Sequence, residues 1–427
     1  HDEMLTDAPG IGQVIGKCLE LCGDLPLLGH KILFDYSFLK KAAVNEGLEL
    51  EKQGIDTLKL CRKFMPEAEK KNLRNSEGAF LRLENGDLIF IYSRFRDESA
   101  ADAAASDLCR ITFDGKLHKK STDLLLKCED EGAINIMSVS LLRMENGDIG
   151  MFYLVRKNES DLKMYLRRSS DEGKTWSDRV LCTDGKFVFV VNNDRVIRLK
   201  SGRILIPAAA HPVTETRYSE IAQMTFFYSD DDGRTWQENA ERVALPSSYR
   251  NCETGLQEPG VIELSDGKLM GWARTDLGRH YQAFSEDDGE HWSMCEPSVF
   301  TAPNSPLSMK RLPDGALLAI WNPIPEYNGR TKVTDYFQGG RCPLALAFSW
   351  DNGEHFSEPI AFESEESRGY CYCTIFFTES DLLLAYCAGG IEDKSCLARC
   401  RIRKIPWDTV VELENLLKGQ KYNESEN

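Results

Sequence analysis

The sequence predicts an all-β protein, a six-bladed β-propeller preceded by a short N-terminal extension of partly helical character. Three observations predict it. The octet S-x-D-x-G-x-x-W recurs at Ser169–Trp176, Ser229–Trp236 and Ser285–Trp292, and Ser349–Phe356 differs only in its final phenylalanine. Each octet follows a short apolar or aromatic strand, as in MTFFYS, YQAFS and LALAFS. Between them, apolar runs flank a two-residue turn about every sixty residues, and such self-similarity marks a repeat architecture.

Residues 1–66 form the extension. IGQVIGKCLELC and YSFLKKAAVNEGLELEKQG have partly helical apolar spacing without strong caps, and their role is not fixed by the sequence. Residues 67–410 form the propeller. Its hairpin turns fall at Asn85-Gly86, Asn146-Gly147, Ser201-Gly202, Asp266-Gly267, Asp314-Gly315 and, in a degenerate form, Ser380-Asp381. The flanks alternate apolar and polar residues, as in LRLENGDLIFIYS, which is the pattern of a half-buried strand pair. A second hairpin follows each, giving six four-stranded units that pack radially with only short protected edges. The octets read as the outer turns. Serine and aspartate bond the turn backbone, glycine supplies a positive φ, and the aromatic plugs the turn against its own sheet. Residues 411–427 form a polar C-terminal tail. Length alone favours two or three domains, and the repeats override that prior.

Composition limits the partners. Acidic residues outnumber basic ones by 68 to 52, a net charge of −16 that disfavours a nucleic-acid partner. An anionic ligand therefore needs a local concentration of arginine. No run reaches the roughly 18–20 apolar residues of a membrane span. The fourteen cysteines lack the paired spacing of a zinc site and read as buried, reduced thiols. With no basic segment and apolar core at the N-terminus, the expected location is cytoplasmic. No metal and no cofactor is expected.

The octets resemble the Asp boxes of the sialidase (neuraminidase) superfamily, and residues 67–410 resemble its six-bladed propeller. Asp boxes lie on outer turns and also occur in propellers without that activity, so the site is argued separately. A sialic acid carries a carboxylate on its anomeric carbon, which the planar forks of arginines bind bidentately. A carboxylate nucleophile would be repelled by it. The family accordingly uses a tyrosine activated by a glutamate, and a separate aspartic acid for proton transfer.

The resemblance assigns these roles residue by residue. In EPGVIELSDGKLMGWAR, Glu258 stands where the family has its tyrosine-activating glutamate, and Arg274 where it has a carboxylate-binding arginine. In GGRCPLALAFSWDNG, Arg341 matches the third arginine and is preferred to Arg330. In RGYCYCTIFF, Tyr372 is the expected nucleophile and Tyr370 the runner-up; strand alternation places both on one face. Arg74 matches the first arginine, although Asn75-Ser76 replaces the isoleucine and proline that follow it in the family. Arg94 resembles a further binding arginine. The alanine-rich loop beyond it offers Asp97, Asp102 and Asp107, with Asp102 favoured as acid/base.

Two features come from the residues alone. Asn192-Asn193-Asp194-Arg195, between FVFVV and VIRL, is either a tight bend or a cluster in which Asn193, Asp194 and Arg195 contact sugar hydroxyls or an acyl group. His211 is a further candidate contact. The implied activity is an exo-acting, retaining hydrolase of terminal sialic or nonulosonic acid. Its partner would be a sialylated or other acidic-sugar glycan. The rivals are a glycosidase or lyase acting on another acidic sugar such as a uronic acid, and a non-catalytic carbohydrate-binding propeller.

Overall fold

A computed structural model of the chain describes residues 11–22, 27–29, 32–48, 50, 54–56, 75–96, 102–214, 217–246, 252–325 and 339–424. The chain divides into two compact units, His1–Glu69 and Lys70–Asn427. In the first, helices α1 (Ile11–Cys22) and α2 (Ile32–Asn45) accompany two short parallel strands, β1 (Leu27–Gly29) and β2 (Gly54–Asp56). Ile15, Ala42, Ala43 and Leu50 form a small buried core there.

The second unit is a ring of six antiparallel sheets. Blade 1 is β3 (Asn75–Arg82), β4 (Leu88–Phe95), β5 (Ser106–Phe113) and β6 (Lys119–Leu126). Blade 2 is β7 (Asn135–Arg143), β8 (Ile149–Asn158), β9 (Asp161–Ser169) and β10 (Val180–Leu181). In blade 3 the innermost strand is broken into β11 (Phe187–Val190) and β12 (Ile197–Arg198), both paired to β13 (Ile204–Pro212). Strands β14 (Gln223–Ser229) and β15 (Gln237–Glu238) complete it. Blade 4 is β16 (Gln257–Glu263), β17 (Leu269–Arg274), β18 (Arg279–Ser285) and β19 (Glu296–Thr301). Blade 5 is β20 (Ser308–Arg311), β21 (Leu317–Trp321), β22 (Leu344–Ser349) and β23 (Ile360–Glu363).

Blade 6 departs from the expected four strands. Among the described residues it holds three, β24 (Cys371–Phe377), β25 (Asp381–Cys387) and β26 (Cys400–Pro406). The chain then enters helix α3 (Trp407–Glu424), where the sequence reads as a polar tail. Val410 and Leu417 of α3 bury against the cluster between blades 5 and 6.

Both faces of each sheet are covered. Along β17, Leu269 goes to the cluster shared with blade 3 and Met270 to the one shared with blade 5, the two-residue alternation of a strand. Six buried clusters of this kind lie one between each pair of consecutive blades. The last joins Phe80 and Phe90 of blade 1 to Leu383 and Ala385 of blade 6.

The octet turns close as expected. Gly173 N–H donates to Ser169 Oγ at 2.7 Å, and the N–H groups of Lys174 and Thr175 donate to Asp171 Oδ1 at 3.0 and 2.8 Å. Gly173 has φ 81°. The aromatic, however, packs between blades rather than on its own sheet. Trp292 of blade 4 stacks on Phe226 of blade 3 at 3.8 Å, and Trp236 of blade 3 meets Phe152 of blade 2 edge-on. The fourth octet residue reaches the same way: Glu172 and Asn352 accept the hairpin-turn N–H groups of Glu84 and Ser265 at 2.8 Å, one blade back. The octets are thus staples between neighbours, because a turn at the sheet's edge is closest to the adjoining blade.

Candidate active site

Four blades carry the same irregularity in their innermost strand. The ladder to the second strand skips at Ser76/Ala79, Met137/Ser140, Gln257/Gly260 and Cys371/Thr374, a β-bulge in each. Inside each skip one residue takes a left-handed backbone: Glu77 (φ 61°), Ser138 (φ 58°), Glu258 (φ 44°) and Tyr372 (φ 56°). A non-glycine residue adopts this conformation at a cost of about 1–3 kcal/mol, and such strain gathers at functional sites. The bulge takes these side chains out of the strand alternation and lets them meet across the ring.

Two of them form the centre of the site. Tyr372 Oη donates to Glu258 Oε1 at 2.9 Å, linking blades 6 and 4. Arg274, from the end of β17, lies 2.9 Å from Glu258 Oε2 and donates to Tyr372 Oη at 3.4 Å. Its other terminal nitrogen donates to Gln257 Oε1 at 3.3 Å. The guanidinium of Arg341, just before β22, stands 5.4 Å from the centre of the Tyr372 ring. Burial, and then the Glu258 charge, push the Tyr372 phenol well above its usual range, against the pull of Arg274 and Arg341. The phenol therefore keeps its proton at rest, with a carboxylate positioned to take it. A neutral phenol hydrogen-bonded to a carboxylate and flanked by two cations can serve chemically as a nucleophile with its base.

Comparison with known proteins agrees with the propeller fold. Residues 128–384 match the BNR repeat-like domain. The chain belongs to the BNR repeat-like family. A sialidase of Paraclostridium sordellii is 26% identical over 212 residues, 42% of this chain and 50% of that one. An anhydrosialidase of Macrobdella decora is 29% identical over 141 residues, 30% of this chain and 16% of that one. A 73-residue stretch, 17% of this chain, is 40% identical to a PolC-type DNA polymerase III of Bacillus cereus, of which it covers 5%. The chain thus spans half or less of the curated relatives it matches. Among solved structures, a Trypanosoma rangeli sialidase with 2,3-difluorosialic acid superposes with a TM-score of 0.60 at 14% identity, covering 81% of this chain and 56% of that one. A protein of unknown function from Dyadobacter fermentans gives the same score at 17% identity, covering 79% and 95%.

Within this BNR-repeat propeller, the other sequence-predicted residues fall in several places. Arg74, Arg330 and Asp97 lie outside the described residues. Asp102 is exposed in the turn leading into β5, near Tyr218, whose proton is kept by burial and then by Glu220. Tyr218 in turn packs edge-on against His211, ring centres 5.3 Å apart. His211 is buried, its Nδ1 2.8 Å from the Ser219 carbonyl, and burial holds it below the usual histidine range. Asp107 is buried and ion-paired with Arg96, with Arg94 3.8 Å away and partly exposed.

Two expectations need correction. Tyr370 does not share a face with Tyr372: it is fully buried in the cluster between blades 5 and 6, because the bulge between them breaks the alternation. Asn193, Asp194 and Arg195 follow the bend reading, since their polar atoms bond other blades. Asn193 Nδ2 donates to Gly78 O at 3.0 Å and Thr374 Oγ1 at 2.9 Å. Asp194 accepts from Lys310 Nζ at 2.8 Å and Ile375 N–H at 3.1 Å, and Arg195 donates to Leu307 O at 2.6 Å. These are braces across the ring, and the break between β11 and β12 gives them their reach.

Sequence reasoning missed Glu77. It lies five residues before Arg82, at the end of β3, as Glu258 lies five before Glu263, and it accepts from Ser138 Oγ at 3.4 Å. Counting back from each hairpin turn would have found it.

Proposed function

We propose that the protein is an exo-acting, retaining glycoside hydrolase that releases a terminal sialic or related nonulosonic acid from a glycoconjugate. The observation that carries this reading is the 2.9 Å Tyr372–Glu258 hydrogen bond with Arg274 in contact with both residues. A phenol attacks an anionic sugar without the repulsion a carboxylate would meet, and the sialidases among the homologues support the same substrate class.

In the first half-reaction Tyr372 Oη bonds to the anomeric carbon while its proton passes to Glu258. The bond to the leaving oxygen breaks, and Asp102 gives that oxygen its proton. In the second, water attacks the anomeric carbon and Asp102 takes the water's proton, while the bond from that carbon to Tyr372 Oη breaks and Glu258 returns its proton to the phenolate. Arg274 and Arg341, with Arg74, hold the sugar carboxylate through bidentate contacts, and Arg94 is a further binding arginine.

The test is a panel of fluorogenic sialosides and uronides assayed with wild type and Tyr372→Phe. Release from a sialoside by wild type, lost in the variant, supports the reading. Full activity in Tyr372→Phe removes the tyrosine from the chemistry. Turnover of uronides alone moves the substrate class, and binding of the free acid without turnover makes the propeller a carbohydrate-binding module.

A further inference from the structure

Arg341 is held unlike the carboxylate-paired arginines of the blades. Arg143 pairs with Glu172, Arg167 and Arg179 with Glu131, and Arg401 and Arg403 with Glu363. Among the described residues no carboxylate lies within ion-pair distance of Arg341. Its side-chain contacts are the ring of Tyr372 and two sulfur atoms: Nη1 stands 3.4 Å from Cys371 Sγ and 3.8 Å from Cys396 Sγ.

Both cysteines are buried, and with Tyr372 and Cys387 they form one cluster. Burial pushes the Cys371 thiol up, and the contact with Cys371, then burial, pushes Cys396 up. Both therefore remain neutral thiols. A neutral thiol is a weak acceptor, whereas a carboxylate would cancel the guanidinium's charge and occupy its fork. Arg274 faces that second situation, shared between Glu258 and any ligand.

We propose that Cys371 and Cys396 are positioning residues that fix Arg341 through uncharged sulfur contacts, leaving its positive charge for the carboxylate of the ligand. The inference rests on the sialidase reading above. It distinguishes the two arginines: Arg274 shares its charge between Glu258 and the ligand, and Arg341 keeps its own for the ligand.

The experiment uses the full chain with Cys396→Ser, Cys396→Ala and Cys396→Asp, each also in an Arg341→Met background. KM and kcat are read on a fluorogenic sialoside, and the dissociation constant of free N-acetylneuraminic acid by calorimetry. Serine keeps a neutral acceptor, so its constants should stay within about threefold of wild type. Alanine removes one contact and should raise KM and the dissociation constant about tenfold, with kcat little changed. Aspartate should pair with Arg341 and raise both more than alanine does. In the Arg341→Met background all three substitutions should fall silent, which a merely structural cysteine would not do. If aspartate prevents folding, the contrast of alanine with serine decides.

Constants unchanged in alanine and aspartate, or the same losses without Arg341, overturn the proposal and leave the sialidase reading intact. A wild type that neither cleaves the sialoside nor binds the free acid overturns both.

Discussion

Blades 4 and 5 are neighbours built on one plan, and only blade 4 supplies a carboxylate and an arginine that meet at the candidate site. Their second and third strands share a register, Leu269 opposite Ser285 in one and Leu317 opposite Ser349 in the other. Five residues before the end of the paired inner strand, blade 4 has Glu258 and blade 5 has Pro306. Proline locks φ near −65° and cannot adopt the left-handed backbone that aims Glu258. Five residues beyond Leu269 and Leu317 stand Arg274 and Asn322. Asn322 is fully buried and donates to Pro343 O at 2.8 Å and Tyr370 O at 3.1 Å, so it braces blade 6. Five residues before the octet serines stand His280 and Leu344, both buried. One residue per position separates a site from a scaffold. Blade 5 contributes to the centre through Arg341, which lies ahead of its third strand.

The largest break in this comparison should come from the partner of Glu258. Tyr372→Phe should lower kcat/KM on a sialoside by roughly a thousandfold, with the fold intact by circular dichroism. Next comes Arg274→Asn, which gives blade 4 the residue of blade 5. It removes a charged contact to Glu258 and a ligand donor together, and should cost about a hundredfold in kcat/KM, mostly in KM.

His280→Leu imports another blade-5 residue and should change stability rather than rate. Burial holds His280 down to about 3, so between pH 6.5 and 3 the unfolded chain binds a proton that the folded chain does not. Stability should therefore fall as pH drops through that window, by up to about 1.4 kcal/mol per unit from this group. Thermal melts at pH 7 and pH 4.5 should show a smaller difference in the variant. The smallest effect is expected from Pro306→Ala. Activity should stay within about twofold and stability change by less than about 1 kcal/mol, since the proline acts mainly on the unfolded chain. A large loss of activity there would mean that blade 5's inner strand takes part in the chemistry after all.

The ring was legible because its signals repeat: six hairpin turns and four octets each state the same local chemistry. Glu258, Arg274, Arg341 and Tyr372 were legible because they stand at strand ends beside those repeats and match a family's motifs. What stayed hidden depends on contacts between blades. Strand alternation put Tyr370 beside Tyr372, and only the bulge separates them. The octet tryptophans read as plugs for their own sheets, and they meet the neighbouring ones instead. Asn193, Asp194 and Arg195 looked like a ligand cluster because their partners, Gly78, Thr374, Lys310 and Leu307, are far away in sequence. Glu77 was hidden for a different reason: its spacing was in the sequence, but no motif drew the eye to it.

The contact between blades 6 and 1 is made by side chains, with Phe80, Phe90, Leu383 and Ala385 meeting as residues do between any other two blades. Among the described residues no strand crosses the join: β3 to β6 and β24 to β26 each run in chain order. The ring is therefore closed there by apolar packing.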